Sequence, residues 1–181
     1  MDLEPAQRAA IYRLVSALLL HEVEGPLLAL LRQPAVSATL EAAQPGVHDC
    51  LTGWNEAAQE AHAEEFTRLF LLPKGVPPRA SAWLPQERDT LGAGIAREVT
   101  ALLQELGREQ NGLGGGRLPE DHGALLFELA ACALEALPAR GEAFSCAVLE
   151  PWVGAFGAGL TANASSPLYR ALGSLLAGLH A

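Results

Sequence analysis

The sequence predicts an all-α protein, a single domain over residues 1–181 that forms a helical bundle of about seven to nine helices. Half of the residues are hydrophobic but only 6% are aromatic, and alanine and leucine dominate, a composition that favours helices over sheets. Apolar residues recur at three- and four-residue spacing along most of the chain. Neither an alternating segment nor an Asn-Gly or Asp-Gly hairpin appears. This length is enough for one hydrophobic core.

Prolines and glycines divide the N-terminal region into short helices. Asp2 is a candidate cap for the first helix, and Gly25-Pro26 ends it. Breaks at Pro34 and Pro45 separate further helices. The residues that we expect to face the core in this region are Ile11, Leu14, Val15, Leu18, Leu19, Val36, Leu40, Val47, Leu51, Trp54, Phe66, Leu69 and Phe70.

The helical pattern stops between Leu72 and Pro85. Four prolines and one glycine in this segment exclude both a helix and a central strand, so we expect an extended connection. A connection of this length is unusual inside a compact domain unless it has a function.

The remainder of the chain predicts longer helices. One ends at Gly107 and is followed by a glycine-rich loop, Asn111–Arg117. An apolar helix then runs from Leu118 to Leu137, the next is kinked or restarted at Pro151, and Ser166 caps the last. The expected core residues here are Leu91, Ile95, Val99, Leu102, Leu103, Leu106, Leu125, Leu126, Leu129, Ala133, Phe144, Val148, Trp152, Phe156, Leu160, Leu168, Leu172, Leu175, Leu176 and Leu179.

The start of the apolar helix combines two acids and a histidine. Pro119 suits the first helical position, and Glu120 and Asp121 would lie in the first turn, near the positive end of the helix. The spacing from His122 to the following leucines puts the imidazole on the inward face. Such a start is unusual for a purely structural helix.

The charge balance excludes some partners. Twelve Lys and Arg residues stand against 21 Asp and Glu residues, a formal net charge of −9. This surface repels phosphate backbones, so we expect no nucleic-acid partner and attraction to a basic peptide instead. The N-terminus has no signal-peptide pattern, and no apolar run approaches the ~18 residues typical of a membrane span. We therefore expect a cytoplasmic protein without membrane insertion.

The cysteines do not form a recognisable framework. Cys50, Cys132 and Cys146 are widely separated, which fits a reducing compartment. His48 and His62 are the histidines nearest to Cys50, but their spacing matches no zinc motif, so we expect no metal.

The sequence contains residues that suit two catalytic interpretations. Ser81, Asp121 and His122 are the residue types of a nucleophilic triad, but no G-x-S-x-G elbow exists and the aspartate is adjacent to its histidine. The loop Gly112–Arg117 precedes a helix, as phosphate loops do, but it follows a helix and lacks the Gly-Lys-Ser/Thr ending. A nucleotide-binding or hydrolysing helical enzyme that uses this loop and His122, with guanine nucleotide as a weak ligand, stays the alternative.

Three motifs, in order along the chain, resemble those of the TorD/DmsD/NarJ-type chaperones. The second, Pro-Glu-Asp-His followed by an apolar helix, is the most specific. The motifs are residues 65–70 with Pro73, Pro77, Pro78, Ser81 and Trp83; residues 119–122; and residues 149–152 with Phe156 and residues 167–170.

The resemblance implies a TorD-like, non-enzymatic cytoplasmic chaperone without a cofactor. It would bind the twin-arginine signal peptide, the apo form of a molybdenum-cofactor oxidoreductase catalytic subunit, or both, until the cofactor is inserted and export or assembly follows. Monomer and helix-swapped dimer both stay open. The peptide-binding residues carried over are Glu65, Phe70, Pro77, Pro78, Arg79, Ser81, Trp83, Pro119, Glu120, Asp121 and His122.

The chemistry of these residues suits such a peptide. Carboxylates bind guanidinium groups through charge-assisted hydrogen bonds, and Trp83 can stack on a guanidinium or pack against an apolar side chain. His122 adds a group that titrates near neutral pH. Lys74 and Arg79 put positive charge on the loop that should meet a basic peptide. We therefore hypothesise a mainly apolar contact in which carboxylates such as Asp121 select the orientation, with the proline-tryptophan loop lying near the helix start.

Overall fold

Helices form nearly all the regular structure in the computed structural model, which describes residues 3–84, 89–108 and 118–179, the side chains of 89–93 excepted. These ranges contain no strand, so the all-α prediction is confirmed. The α-helices are α1 (Pro5–Leu20), α2 (Gly25–Leu31), α3 (Pro34–Ala43), α4 (Val47–Thr52), α5 (Glu56–Phe66), α6 (Asp89–Glu105), α7 (Gly123–Ala136), α8 (Pro138–Phe144), α9 (Glu150–Asn163) and α10 (Pro167–Leu179).

Short π-helical turns extend two of these helices. Thr67–Leu71 continues α5, and Ser145–Leu149 joins α8 to α9, so that the ten α-helices of the described ranges form nine separate elements. Pro151 is the second residue of α9 and comes just after the π-helical turn Ser145–Leu149, whose irregular hydrogen bonding tolerates a missing N–H.

The contacts of the chain divide into two compact units. The first consists of residues 1–20 and 78–152, and the second of residues 21–77 and 153–181. The single domain over residues 1–181 stays a prediction.

The first unit is built on the packing of α1 along α7. Eleven of the 14 residues of α7 are buried, as expected for a helix that is apolar on all sides. The Ser16 hydroxyl donates to the Ala124 carbonyl at 2.8 Å. Tyr12 and Trp152 flank the Phe127 ring, with centroid distances of 5.5 and 6.0 Å.

The second unit packs α10 against α3 and α4. An aromatic cluster lies in its core, where the Phe70 ring makes edge contacts with Phe66 and Tyr169 at centroid distances of 5.3 and 5.5 Å. The backbones of α9 and α10 approach closely at Gly157 and Gly173, and a methyl group on Gly157 would come within 2.7 Å of the Gly173 carbonyl.

Most expected core residues are buried. Leu91 lies among the side chains that the structure does not describe. The expected core residues that are only half-buried are Ile11, Val36, Trp54, Leu103, Leu106 and Leu179.

Two expected helix ends differ from the structure. The first helix ends at Leu20 rather than at Gly25-Pro26. The apolar helix begins at Gly123 rather than at Leu118, so Pro119 is not in its first turn. Glu120 and Asp121 also lie outside the first turn of α7. Residues 119–122 instead form a separate turn, closed by the hydrogen bond from His122 N–H to the Pro119 carbonyl.

One helical element in the described residues is long and apolar enough to cross a membrane. Within Pro138–Asn163, an 18-residue window has a mean hydropathy of 1.3. Half of this window is buried inside the protein, as in a core helix, so the support for a membrane span is weak.

Candidate functional site

A backbone bridge joins the proline-rich loop to the start of α7. Gly123 N–H donates to the Pro78 carbonyl at 2.7 Å, and Ala80 N–H donates to the Asp121 carbonyl at 2.9 Å. Between these two bonds, Arg79 and His122 form an isolated antiparallel bridge. The structure thus brings together the two predicted segments, although about 40 residues separate them in sequence.

Close packing explains the glycine at the first position of α7. A methyl group on Gly123 would lie 3.1 Å from Leu19 Cδ1, 3.2 Å from Trp152 Cη2 and 3.3 Å from the Pro78 carbonyl oxygen. A larger residue would push the loop away from the helix start.

The carboxylate of Asp121 is the electrostatic centre of the site. Arg79 Nε donates to Oδ1 at 3.1 Å, and Arg79 Nη2 donates to the same oxygen at 2.9 Å. Ser81 Oγ donates to Oδ2. Asp121 is buried, with 12% of its side chain exposed, whereas 51% of the Arg79 side chain is exposed. The aspartate is therefore fixed and the arginine lies at the surface.

The pKa of Asp121 reflects two opposing effects. Burial alone would raise the pKa, but the hydrogen bonds from Arg79 and Ser81 and the charge of Arg79 outweigh it and leave the pKa below its usual value. The carboxylate is thus ionised at neutral pH.

His122 is the N-cap of α7. Its Nδ1 accepts a hydrogen bond from Ala124 N–H at 3.2 Å. Burial lowers the pKa of His122, Asp121 raises it and Arg79 lowers it further, so the net direction is downward. The imidazole is neutral near pH 7, which leaves Nδ1 free to accept the capping bond and argues against a charge-tuning role there.

A short 3₁₀ helix, Ala80–Ala82, places the remaining loop residues. The extended connection expected over 72–85 is interrupted here, because Ala80 accepts from Trp83 N–H at 3.0 Å. Trp83 is half-buried at the end of this turn. Of the other predicted site residues, Pro78 is buried, Pro77 and Glu120 are half-buried, and Pro119 is exposed.

Glu65 and Phe70 belong to the second unit, where each has a structural contact. The Glu65 carboxylate accepts from the backbone N–H groups of Ser165 and Ser166, which precede α10, and from the Arg68 guanidinium at 3.2 Å. Phe70 is part of the aromatic cluster described above. Both side chains therefore stabilise their own unit.

An acidic cleft of about 400 Å³ also lies in the second unit. Sequence reasoning missed it, because its carboxylates come from two separate segments, the connection between α1 and α2 and the helix α5. The like-charged pair Glu56 and Glu60, four residues apart on a helix, was the available signal, since such a pair is unfavourable without a partner. The cleft is lined by Glu22, Val23, Glu24, Glu56, Gln59, Glu60 and Ala63.

Cys50 and His62 meet in the second unit. Cys50 Sγ lies 3.5 Å from His62 Nε2, but burial raises the pKa of the thiol and lowers the pKa of the imidazole. Both groups are thus neutral, unlike a reactive thiolate–imidazolium pair. Among the described residues, no three His, Cys, Asp or Glu side chains are grouped to hold a metal ion.

The loop Gly112–Arg117, on which the nucleotide alternative depends, lies outside the described residues. The other residue of that alternative, His122, has its Nδ1 engaged at the helix cap.

The described residues fold into an all-α protein, and the bridge holds the Pro-Glu-Asp-His motif against the proline-rich loop. The family model of the nitrate reductase delta subunit matches residues 33–158, more than two thirds of the chain and both halves of the bridge. The chain belongs to this family, so the resemblance found in the sequence is confirmed. The members of this family are maturation chaperones for molybdoenzymes. They are not a family of catalysts.

Proposed function

We propose that this chain is a cytoplasmic chaperone that binds the twin-arginine signal peptide, the apo form of a molybdoenzyme catalytic subunit, or both. It holds this client until the cofactor has been inserted and export or assembly follows. The observation that carries the proposal is the buried, ionised Asp121 carboxylate beside the half-buried Trp83 loop. We propose that the peptide-binding surface around Asp121 and Trp83 also includes the other predicted residues of the loop and the helix start, which are Pro77, Pro78, Arg79, Ser81, Pro119, Glu120 and His122.

Charge supports a basic client. The net charge of −9 favours association with a peptide that carries arginines. A buried carboxylate contributes more than an exposed one to the recognition of a guanidinium group, because the surrounding dielectric is lower. The acidic cleft in the second unit adds to the same long-range attraction.

Exposed apolar groups support the second part of a signal peptide, its hydrophobic segment. In the first unit, Trp83 follows Ser81 in the loop bound to Asp121 and offers an aromatic surface. In the second unit, Leu71 and Leu72 are 65% and 53% exposed.

Titration calorimetry with a synthetic twin-arginine peptide tests the site. Asp121→Ala and Trp83→Ala should each weaken binding by about tenfold, in the range of a lost charged hydrogen bond or a buried aromatic contact. Asp49→Ala is the matched control, since it removes an exposed carboxylate from α4 and should leave the affinity nearly unchanged. Unchanged binding in both site variants would refute the assignment.

The identity of the client is tested separately. The protein that copurifies with the tagged chain from its own cells should be a molybdoenzyme subunit in its apo form. We further propose that binding needs no cofactor, so that added GTP should neither be hydrolysed nor alter the affinity for the peptide. GTP turnover that is lost in His122→Ala would favour the nucleotide-dependent alternative.

A further inference from the structure

We propose that Arg79 occupies the arginine subsite of this chaperone from within, so that a client arginine binds Asp121 by exchange with Arg79. This inference rests on the proposed function. It adds the identity of the subsite and the contact that regulates access to it.

The geometry at Asp121 is that of a bound guanidinium. Arg79 presents Nε and Nη2 side-on to the carboxylate, and Nε also lies 3.3 Å from Oδ2. Both donors meet at Oδ1, and one planar group supplies them, which the single ammonium group of lysine cannot reproduce. The group that the client would bring is therefore the group that is already in place.

The two partners differ in their freedom to leave. The Asp121 side chain is 12% exposed, and Ser81 holds its second oxygen. The Arg79 side chain is 51% exposed, so rotation of its side chain into solvent is enough to vacate the carboxylate. The backbone bonds of Pro78 and Ala80 to the start of α7 do not involve that side chain and can persist.

Exchange avoids the main cost of opening such a site. A buried carboxylate that loses its partner is strongly destabilising, whereas a client guanidinium replaces Arg79 like for like. The net gain at this subsite is then the interaction with the client arginine less the interaction with the partly exposed Arg79. That makes the contact selective for arginine yet reversible, as a chaperone that must release its client requires.

The test compares Arg79→Ala with Lys74→Ala in calorimetric titrations with a twin-arginine peptide. Both variants remove one positive charge from the same exposed loop region, but only the first vacates Asp121. We expect Arg79→Ala to bind the peptide about 3- to 10-fold more tightly, the range for loss of a partly exposed competing ion pair. Lys74→Ala should change the affinity by less than about twofold, because a single exposed charge is largely screened.

A second variant keeps the test independent of folding. Arg79→Lys retains the charge but not the two-donor geometry, so its affinity should fall between those of the wild type and Arg79→Ala. Peptide binding that is unchanged or weakened in Arg79→Ala, or equally tightened in both alanine variants, would overturn the exchange while the proposed function stands. Absence of peptide binding in the wild type and in every Arg79 variant would overturn both.

Discussion

His122 closes the N-terminal end of α7 with its neutral imidazole. The first four backbone N–H groups of a helix lack partners within the helix. In α7, His122 Nδ1 accepts a hydrogen bond from one of them, the Ala124 N–H. Burial keeps the imidazole neutral by lowering its pKa. The histidine of the Pro-Glu-Asp-His motif is thus the N-cap of α7.

Replacement of His122 tests this capping role. His122→Ala should lower the free energy of unfolding by about 1 kcal/mol, the usual effect of losing a cap, whereas His122→Asn should retain most of it because asparagine is a good N-cap. Urea unfolding at pH 7.5 measures both values. Equal destabilisation in the two variants would contradict the role of Nδ1.

Two histidines, the buried His62 and the half-buried His122, also set a pH dependence. The pKa values of His62 and His122 are lowered from their ordinary 6.5, first of all by burial. Below pH 6.5 the unfolded chain takes up protons that the folded chain does not, so the free energy of unfolding falls as the pH drops. Above pH 6.5 this contribution is fully present and constant.

Urea midpoints between pH 8 and pH 5 measure that dependence. We expect a plateau above pH 6.5 and a decline below it, and a shallower decline in His122→Asn. Asp121 contributes separately and only at lower pH, since its lowered pKa makes the stabilisation disappear below its ordinary 3.8. A midpoint that rises from pH 6.5 to pH 5 would contradict the burial of neutral histidines.

At the scale of elements, the backbones of α9 and α10 approach closely at Gly157 and Gly173. A methyl group on Gly157 would lie 2.7 Å from the Gly173 carbonyl oxygen and 2.9 Å from Ala177 N, both backbone atoms that cannot yield easily. On the same helix, a methyl group on Gly154 would meet nothing within 4 Å. An added methyl group therefore fits at Gly154 but not at Gly157.

This pair of glycines gives a matched experiment. Gly157→Ala should lower the stability by about 1–3 kcal/mol through overpacking. Gly154→Ala should leave it unchanged or raise it by up to about 1 kcal/mol, because alanine is the better helix former. Thermal unfolding of the two variants compares them directly, and a similar loss in both would show that α9 and α10 do not meet through Gly157.

Local rules predicted most helices but not the start of α7. Proline breaks gave α3 and α10, and leucine spacing gave the buried faces of α1 and α7. Pro119, Glu120 and Asp121 satisfy the rules for a first helical turn, yet the structure leaves them outside the helix. The cause is the bridge to residues 78–80, a contact between distant segments that no local rule detects.

The candidate site could be predicted from the sequence only in part, for the same reason. The motifs named Ser81 and Asp121, the predicted site also included Arg79, and the acid–guanidinium chemistry was expected between protein and client. That Arg79 itself is bound to Asp121 follows only from the fold. The acidic cleft of the second unit likewise depends on carboxylates from two separate segments.

At the scale of the whole molecule, an acidic all-α chain of the nitrate reductase delta subunit family carries a fixed carboxylate on a loop-to-helix bridge. The family supplies the kind of client, a molybdoenzyme subunit. We propose that the surface at the bridge binds an arginine of that client. Selection of guanidinium over ammonium is therefore the central claim.

The measurement that tests this claim most directly is a pair of calorimetric titrations of the wild-type chain. One uses a twin-arginine signal peptide and the other the same peptide with both arginines changed to lysine, so that charge and length are matched. We predict that the twin-lysine peptide binds about tenfold more weakly, since lysine lacks the two-donor geometry. Equal affinity for the two peptides, or no binding of either, would contradict the account.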